Sequence, residues 1–207
     1  METTTPLNQK ATASAKPADY VGPICMGDVC SSPWYMSTKE IEVLKMMNVL
    51  LPDVADNTLK AHRITYWVLW IYVFKSMFAG AVHMFASDGG AQSIGSVKLD
   101  GFTQEGADSV VTMFGLWGME QFVIGFIVLV ILLRYKSLLP LAWAVYAIEY
   151  AGRALSHTFT PGLDTEHTPP GVMLDTLLVP LSIAMLVLAI YTTKQDGEEG
   201  KNLPKSI

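Results

Sequence analysis

The chain has 207 residues, 51% of them hydrophobic and 16% charged, with a formal net charge of -5. That is the length of one domain with little charge for a soluble one. The acidic balance also lacks the basic excess that neutralises phosphates, so no nucleic-acid partner is expected. The apolar residues are concentrated in a few long runs, which points to a lipid bilayer.

From the N-terminus, METTTPLNQKATASAKPADY has no apolar run behind a basic head, so it does not read as a cleaved secretory signal. Residues 1–36 are rich in Thr, Ala, Pro, Ser and Gly without periodicity, and a disordered tail is expected. Within them CMGDVC separates Cys25 and Cys30 by four residues, not the two common in zinc and redox pairs, and no histidine lies within thirty residues. Two ordinary thiols are the expected reading. The run STKEIEVLKMMNVLLPD then begins with Ser37, has Glu40 three residues later and stops at Pro52, a capping-box pattern. Its Val43, Leu44, Met46, Met47, Leu50 and Leu51 oppose Glu42, Lys45 and Asn48, which predicts an amphipathic helix over 37–52, suited to a membrane surface or to packing on a partner.

Four apolar segments follow, at 64–86, 109–133, 138–157 and 172–192. At about 1.5 Å per residue each crosses a hydrocarbon core of about 30 Å, and none alternates with the period of a strand. Asp175 and Pro180 interrupt the fourth. The bundle is expected over 59–193, with 194–207 as a C-terminal tail. Lys60 and Arg63 precede the first segment, Arg134 and Lys136 lie between the second and third, and Lys194, Lys201 and Lys205 follow the fourth. The 87–108 loop has only Lys98, and 158–171 has neither Lys nor Arg. The positive-inside rule therefore places both termini in the cytoplasm, where thiols stay reduced.

Ionisable residues occur inside these segments. Lys75, Glu120 and Glu149 fall near the middle of the first, second and third, while His83, Arg153, His157 and Asp175 lie toward the outer ends. AIEYAGRALSH spaces Glu149, Arg153 and His157 by four residues, along one helix face. Such groups cost a few kcal/mol each in lipid, so all seven are expected to face inward as one polar column and to pair. Lys75 and Arg153 against Glu120, Glu149 and Asp175 leave one acid over: protonated, neutralised by a histidine, or available to a cationic ligand. Gly118, Gln121 and Gly125, with Gly80 on the first segment, predict a close helix approach.

This column reads in three ways. It is polar glue inside a scaffold, a ligand or proton site, or a b-type haem site with His83 and His157 as axial ligands and Arg153 at a propionate. A zinc site from His83, His157 and Asp175 has suitable ligand types but no HExxH-like spacing. No cofactor is the expected state. No Ser-His-Asp, P-loop or GxGxxG context occurs, and the glycines of DGG (88–90) and SIGS (93–96) read as turns.

The stretches FGLWGMEQFVIGFIVLVILLRYKSLLP, EYAGRALSH, PPGV and DTLLVPL resemble small four-helix membrane proteins: DoxX-like proteins, a related family of undefined function and the scaffold family of sterol biosynthesis. In the last an aromatic-Gly-aromatic-Trp stretch opens one span and a His-containing segment closes the next. The emopamil-binding and sigma-2 type domain is a second resemblance, which implies that Glu120 and Glu149 hold a cationic or sterol-like ligand. The resulting expectation is an all-α integral membrane four-helix bundle with an N-terminal amphipathic helix and a disordered tail. Its expected role is that of an accessory or scaffold protein whose polar interior suits a lipid-like ligand, with the bilayer and another membrane protein as partners. A sterol-isomerase-like enzyme or a proton-coupled carrier using Glu120 and Glu149 is the alternative.

Overall fold

The computed structural model describes residues 25–26, 29–30, 38–159, 162 and 164–202. The chain falls into two compact units, Met1–Glu42 and Val43–Ile207. In the first, β1 (Cys25–Met26) pairs antiparallel with β2 (Val29–Cys30), and Cys25 stands opposite Cys30. The remainder of the expected tail, the two thiol groups and Ser37 lie outside the described residues.

The rest is helical: α1 (Thr38–Leu50), α2 (Arg63–Phe85), α3 (Gln104–Arg134), α4 (Leu139–Phe159) and α5 (Pro170–Asn202). Three of these five, α2, α3 and α5, are long and apolar enough to cross a membrane, a character that fits a membrane protein. α4 spans 21 residues but carries Glu149 and Arg153, which lower its hydropathy.

Local chemistry sets the helix ends. His62 caps α2, its Nδ1 accepting from the Ile64 N–H at 3.2 Å. Thr103 caps α3, its hydroxyl accepting from the Gly106 N–H at 3.2 Å. That cap, with the Gln104–Asp108 side-chain bond at 2.9 Å, starts α3 one turn before the apolar run. Pro170 opens α5, where a missing N–H costs nothing. Pro180 lies inside α5 without ending it.

α2 packs along α3 and α4 along α5, and the two pairs share one core. α4 supplies its centre: Trp143, Tyr146 and Tyr150 are fully buried. Their rings surround Tyr72 of α2 at centroid distances of 5.0, 5.3 and 5.6 Å. Leu69, Leu132 and Ala189 close it from the other helices, and Leu139 from the start of α4. Hydrogen bonds satisfy the polar tips of Tyr72 and Trp143, whereas the buried Tyr146 hydroxyl has no partner among the described residues. Tyr72 donates to the Leu178 carbonyl at 3.0 Å and the Trp143 indole to that of Thr65 at 3.2 Å.

α2 and α3 meet through the small-residue positions read from the sequence. Gly80, Gly118, Gln121 and Gly125 are buried, and Ser76 donates to the Gln121 carbonyl at 2.9 Å. A Cβ on Gly80 would stand 2.6 Å from the Gly118 carbonyl oxygen, and one on Gly118 2.5 Å from the His83 Cβ. Backbone therefore lies against backbone, and this approach fixes where His83 sits.

Candidate functional site

Four of the seven charged or ionisable residues expected in the column are joined through the middle of α2–α5. Arg153 is the hub. Its Nη2 lies 3.1 Å from Oε1 of Glu149 one turn earlier on α4, and its Nε 3.7 Å from Oδ2 of Asp175 on α5. The side chains of Glu149, Arg153 and Asp175 are only 7%, 16% and 16% exposed, so each charge depends on the others for compensation. Lys75 reaches the same cluster from α2. Its Nζ donates to the Tyr150 hydroxyl at 3.2 Å and lies 5.0 Å from that ring's centroid.

Two aromatic residues connect the charges. The Arg153 guanidinium lies over Tyr150 at 4.5 Å and over Trp117 at 5.6 Å, a favourable cation–π arrangement when desolvated. The other neighbour of Trp117 is His83, stacked on it at 5.0 Å, with Phe114 at the edge of the imidazole at 5.7 Å. The chain Lys75–Tyr150–Arg153–Trp117–His83 thus runs continuously from the middle of α2 and α4 toward the outer loops. Sequence spacing marks the ionisable members of this chain but not Trp117 and Tyr150, because at helical spacing buried aromatic residues look like ordinary core.

The inward column is narrower than expected. Glu120 is exposed. The reason is helical phase: at 3.6 residues per turn Glu120 lies roughly 130° round α3 from the Gly118–Gln121–Gly125 stripe that faces α2. His157 belongs to the last turn of α4, and its side chain lies outside the described residues.

His83 is buried, and its Nδ1 lies 2.8 Å from the Gly89 carbonyl oxygen. A carbonyl only accepts, so Nδ1 carries the proton and Nε2 of the neutral ring is an acceptor. Gly89 and Gly90, in the DGG turn, have φ of +60° and +71°, the left-handed region that glycine enters without strain. A Cβ on Gly90 would meet Nδ1 of His83 at 2.8 Å. Asp88 ties the turn down, accepting from the N–H groups of Gly90, Gln92 and Ser93 at 2.9, 3.1 and 2.7 Å. Partial burial opposes the Asp88 charge, but the hydrogen bonds from Ser93 and Gly90 outweigh it and hold this carboxyl below its usual range.

A cavity of about 590 Å³ opens above the cluster. His83, Phe114, Trp117, Arg153, Asp175 and Val97 are among its lining residues. Residues of two loops, among them Val97 and Thr165, line it, and the loops are joined by a bridge between Val97 and Thr165, the Glu166 N–H to Ser96 carbonyl bond at 2.9 Å and the Lys98–Asp164 ion pair at 3.1 Å. Ser96 Oγ lies 2.7 Å from Nε2 of His167. Ser96 has φ of +56°, a strained conformation for a residue with a Cβ, held by this set of cross-loop bonds. Sequence reading singled out neither the cavity nor the Ser96–His167 contact, since both depend on loops 71 residues apart along the chain.

Among the described residues no group of three or more His, Cys, Asp and Glu is placed to hold a metal ion. Compared with known proteins, the chain matches no family model, no curated protein and no solved structure.

Proposed function

We propose that this chain is a multi-pass membrane protein of accessory, non-enzymatic type, and that its outer half holds a lipid-like small molecule. The observation that carries this reading is the cavity above Arg153. It has the volume of a small-molecule site, aromatic and aliphatic walls, and a few convergent polar groups at one end. Charges buried at such depth are costly in lipid and are a functional-site hypothesis by default.

α4 is the fourth crossing helix in this reading. Its 21 residues extend about 31 Å at 1.5 Å per residue, and its charges are compensated inside the protein and not presented to lipid. Arg134 and Lys136 between α3 and α4, Lys60 and Arg63 before α2, and Lys194 near the end of α5 then lie on the cytoplasmic side with both termini. The outline shared with small four-helix membrane families belongs to the same reading.

Glu120 supports the accessory role. It is exposed on α3 between Leu116 and Val123, which are exposed as well. A carboxylate there faces lipid at a cost of a few kcal/mol, and a basic or hydrogen-bonding group on a partner membrane protein relieves that cost.

Val172 lines the cavity from an exposed position on α5, so Val172→Trp fills the space without touching the core. Native mass spectrometry of protein purified in mild detergent is expected to show one retained amphiphile on the wild type and none on Val172→Trp, with unchanged helix content. Two bare proteins of equal stability would refute the ligand reading.

A further inference from the structure

The polar end of the cavity contains an arginine, which ordinarily suggests an anionic head group. The contacts of Arg153 argue otherwise. Its Nη2 is engaged by Glu149 and its Nε faces Asp175, while the guanidinium plane lies against Tyr150 and Trp117. Nε and Nη2 are both buried. An incoming carboxylate or phosphate would either displace one of these acids or approach Nη1 alone, and in both cases it would arrive beside Asp175 and near Glu149, both of which repel it.

The other polar side chains of the lining are Ser156, Thr165 and His83, and the Ser156 hydroxyl already donates to the Arg153 carbonyl at 2.7 Å. Nδ1 of His83 is committed as a donor to Gly89. The ring face is covered by Trp117 and its edge by Phe114, and the Nδ1–Cε1 side lies against Gly90. Nε2 makes no hydrogen bond with any described residue, and in the neutral ring it accepts. The cavity therefore offers two acceptors, the imidazole Nε2 and the Asp175 carboxylate, while its donors are the Thr165 hydroxyl and the Nη1 group of an Arg153 already compensated by two carboxylates.

We infer that the ligand is an amphiphile whose head group donates a hydrogen bond to Nε2 of His83, an uncharged alcohol in its simplest form, and that the site discriminates against carboxylates and phosphates. This rests on the cavity reading above and adds the chemistry of the head group.

The test is native mass spectrometry of the full chain in mild detergent at pH 7.5, titrated with dodecanol and with dodecanoate, two probes of equal chain length. The wild type is expected to bind one dodecanol about tenfold more tightly than dodecanoate, the difference that one hydrogen bond of about 1.4 kcal/mol makes. In His83→Phe, which keeps a ring against Trp117, the ratio is expected to fall toward one. If His83→Phe does not fold, the wild-type ratio and its disappearance in Val172→Trp decide the matter. Equal or tighter binding of dodecanoate would overturn the head-group inference and leave the cavity reading standing. Binding of neither probe to the wild type would overturn both.

Discussion

Gly118→Leu is expected to abolish the folded protein, and Gly118→Ala to cost about 1–3 kcal/mol, the usual range for overpacking. Even an alanine Cβ at Gly118 would stand 2.5 Å from the His83 Cβ and 2.8 Å from the Gly80 carbonyl oxygen. Neither neighbour can yield cheaply, because one is held by its own backbone and the other is backbone. α2 and α3 must separate, and His83 moves with them, so the cavity is distorted in any surviving fraction. Gly152 on α4 is the control: a Cβ there has no neighbour within 4 Å. Gly152→Ala is expected to leave stability unchanged or raise it by up to about 1 kcal/mol through helix propensity. Thermal unfolding of the detergent-solubilised variants measures both.

The second large effect concerns Arg153. Arg153→Met removes the counter-charge of two buried acids together, and the expected cost is about 3 kcal/mol or more, as for other buried pairs broken from one side. Glu149→Gln and Asp175→Asn should each cost less, since Arg153 keeps one partner. The joint change of Glu149→Gln, Arg153→Met and Asp175→Asn should be more stable than Arg153→Met alone, because no uncompensated charge remains. Pairing Glu149→Gln with Arg153→Met is not sufficient, since Asp175 would stay charged and alone. Melting temperatures of these variants form a coupling cycle. If the single-variant costs simply add, the three residues do not act as a unit.

Much of this arrangement is legible in the sequence. Helical periodicity and length place α2 and α4 within two residues of their observed ends, whereas α3 starts five residues before its apolar run and α5 continues ten residues past its own; the i, i+4 spacing of Glu149 and Arg153 already implies their contact. The Gly118–Gln121–Gly125 stripe is similarly readable, since only small residues admit a backbone so near. What escapes is set by azimuth and by long-range contact. Glu120 shares its depth with Glu149 but not its direction, and depth counted along a segment carries no information about phase. Trp117 and Tyr150 have no spacing signature because their role comes from the guanidinium and imidazole packed on them. The cavity exists only where two distant loops meet. α4 shows a further limit: it is not among the three helices long and apolar enough to cross a membrane, yet it contributes seven buried residues, as many as α2, because its charged groups pair inside the protein.

The number of crossings tests the account most directly. Three helices pass on length and apolarity alone, and three crossings would put the two termini on opposite sides of the membrane. Four crossings, with α4 included, put them on the same side. In a Cys25→Ser, Cys30→Ser background, single cysteines at Thr4, Asp100 and Lys205 are to be labelled in intact cells with a membrane-impermeant maleimide. The account predicts labelling at Asp100 and protection at both Thr4 and Lys205 until the membrane is permeabilised. Labelling of Lys205 from outside with Thr4 protected would mean that α4 does not cross, and would contradict the four-helix arrangement on which the site depends.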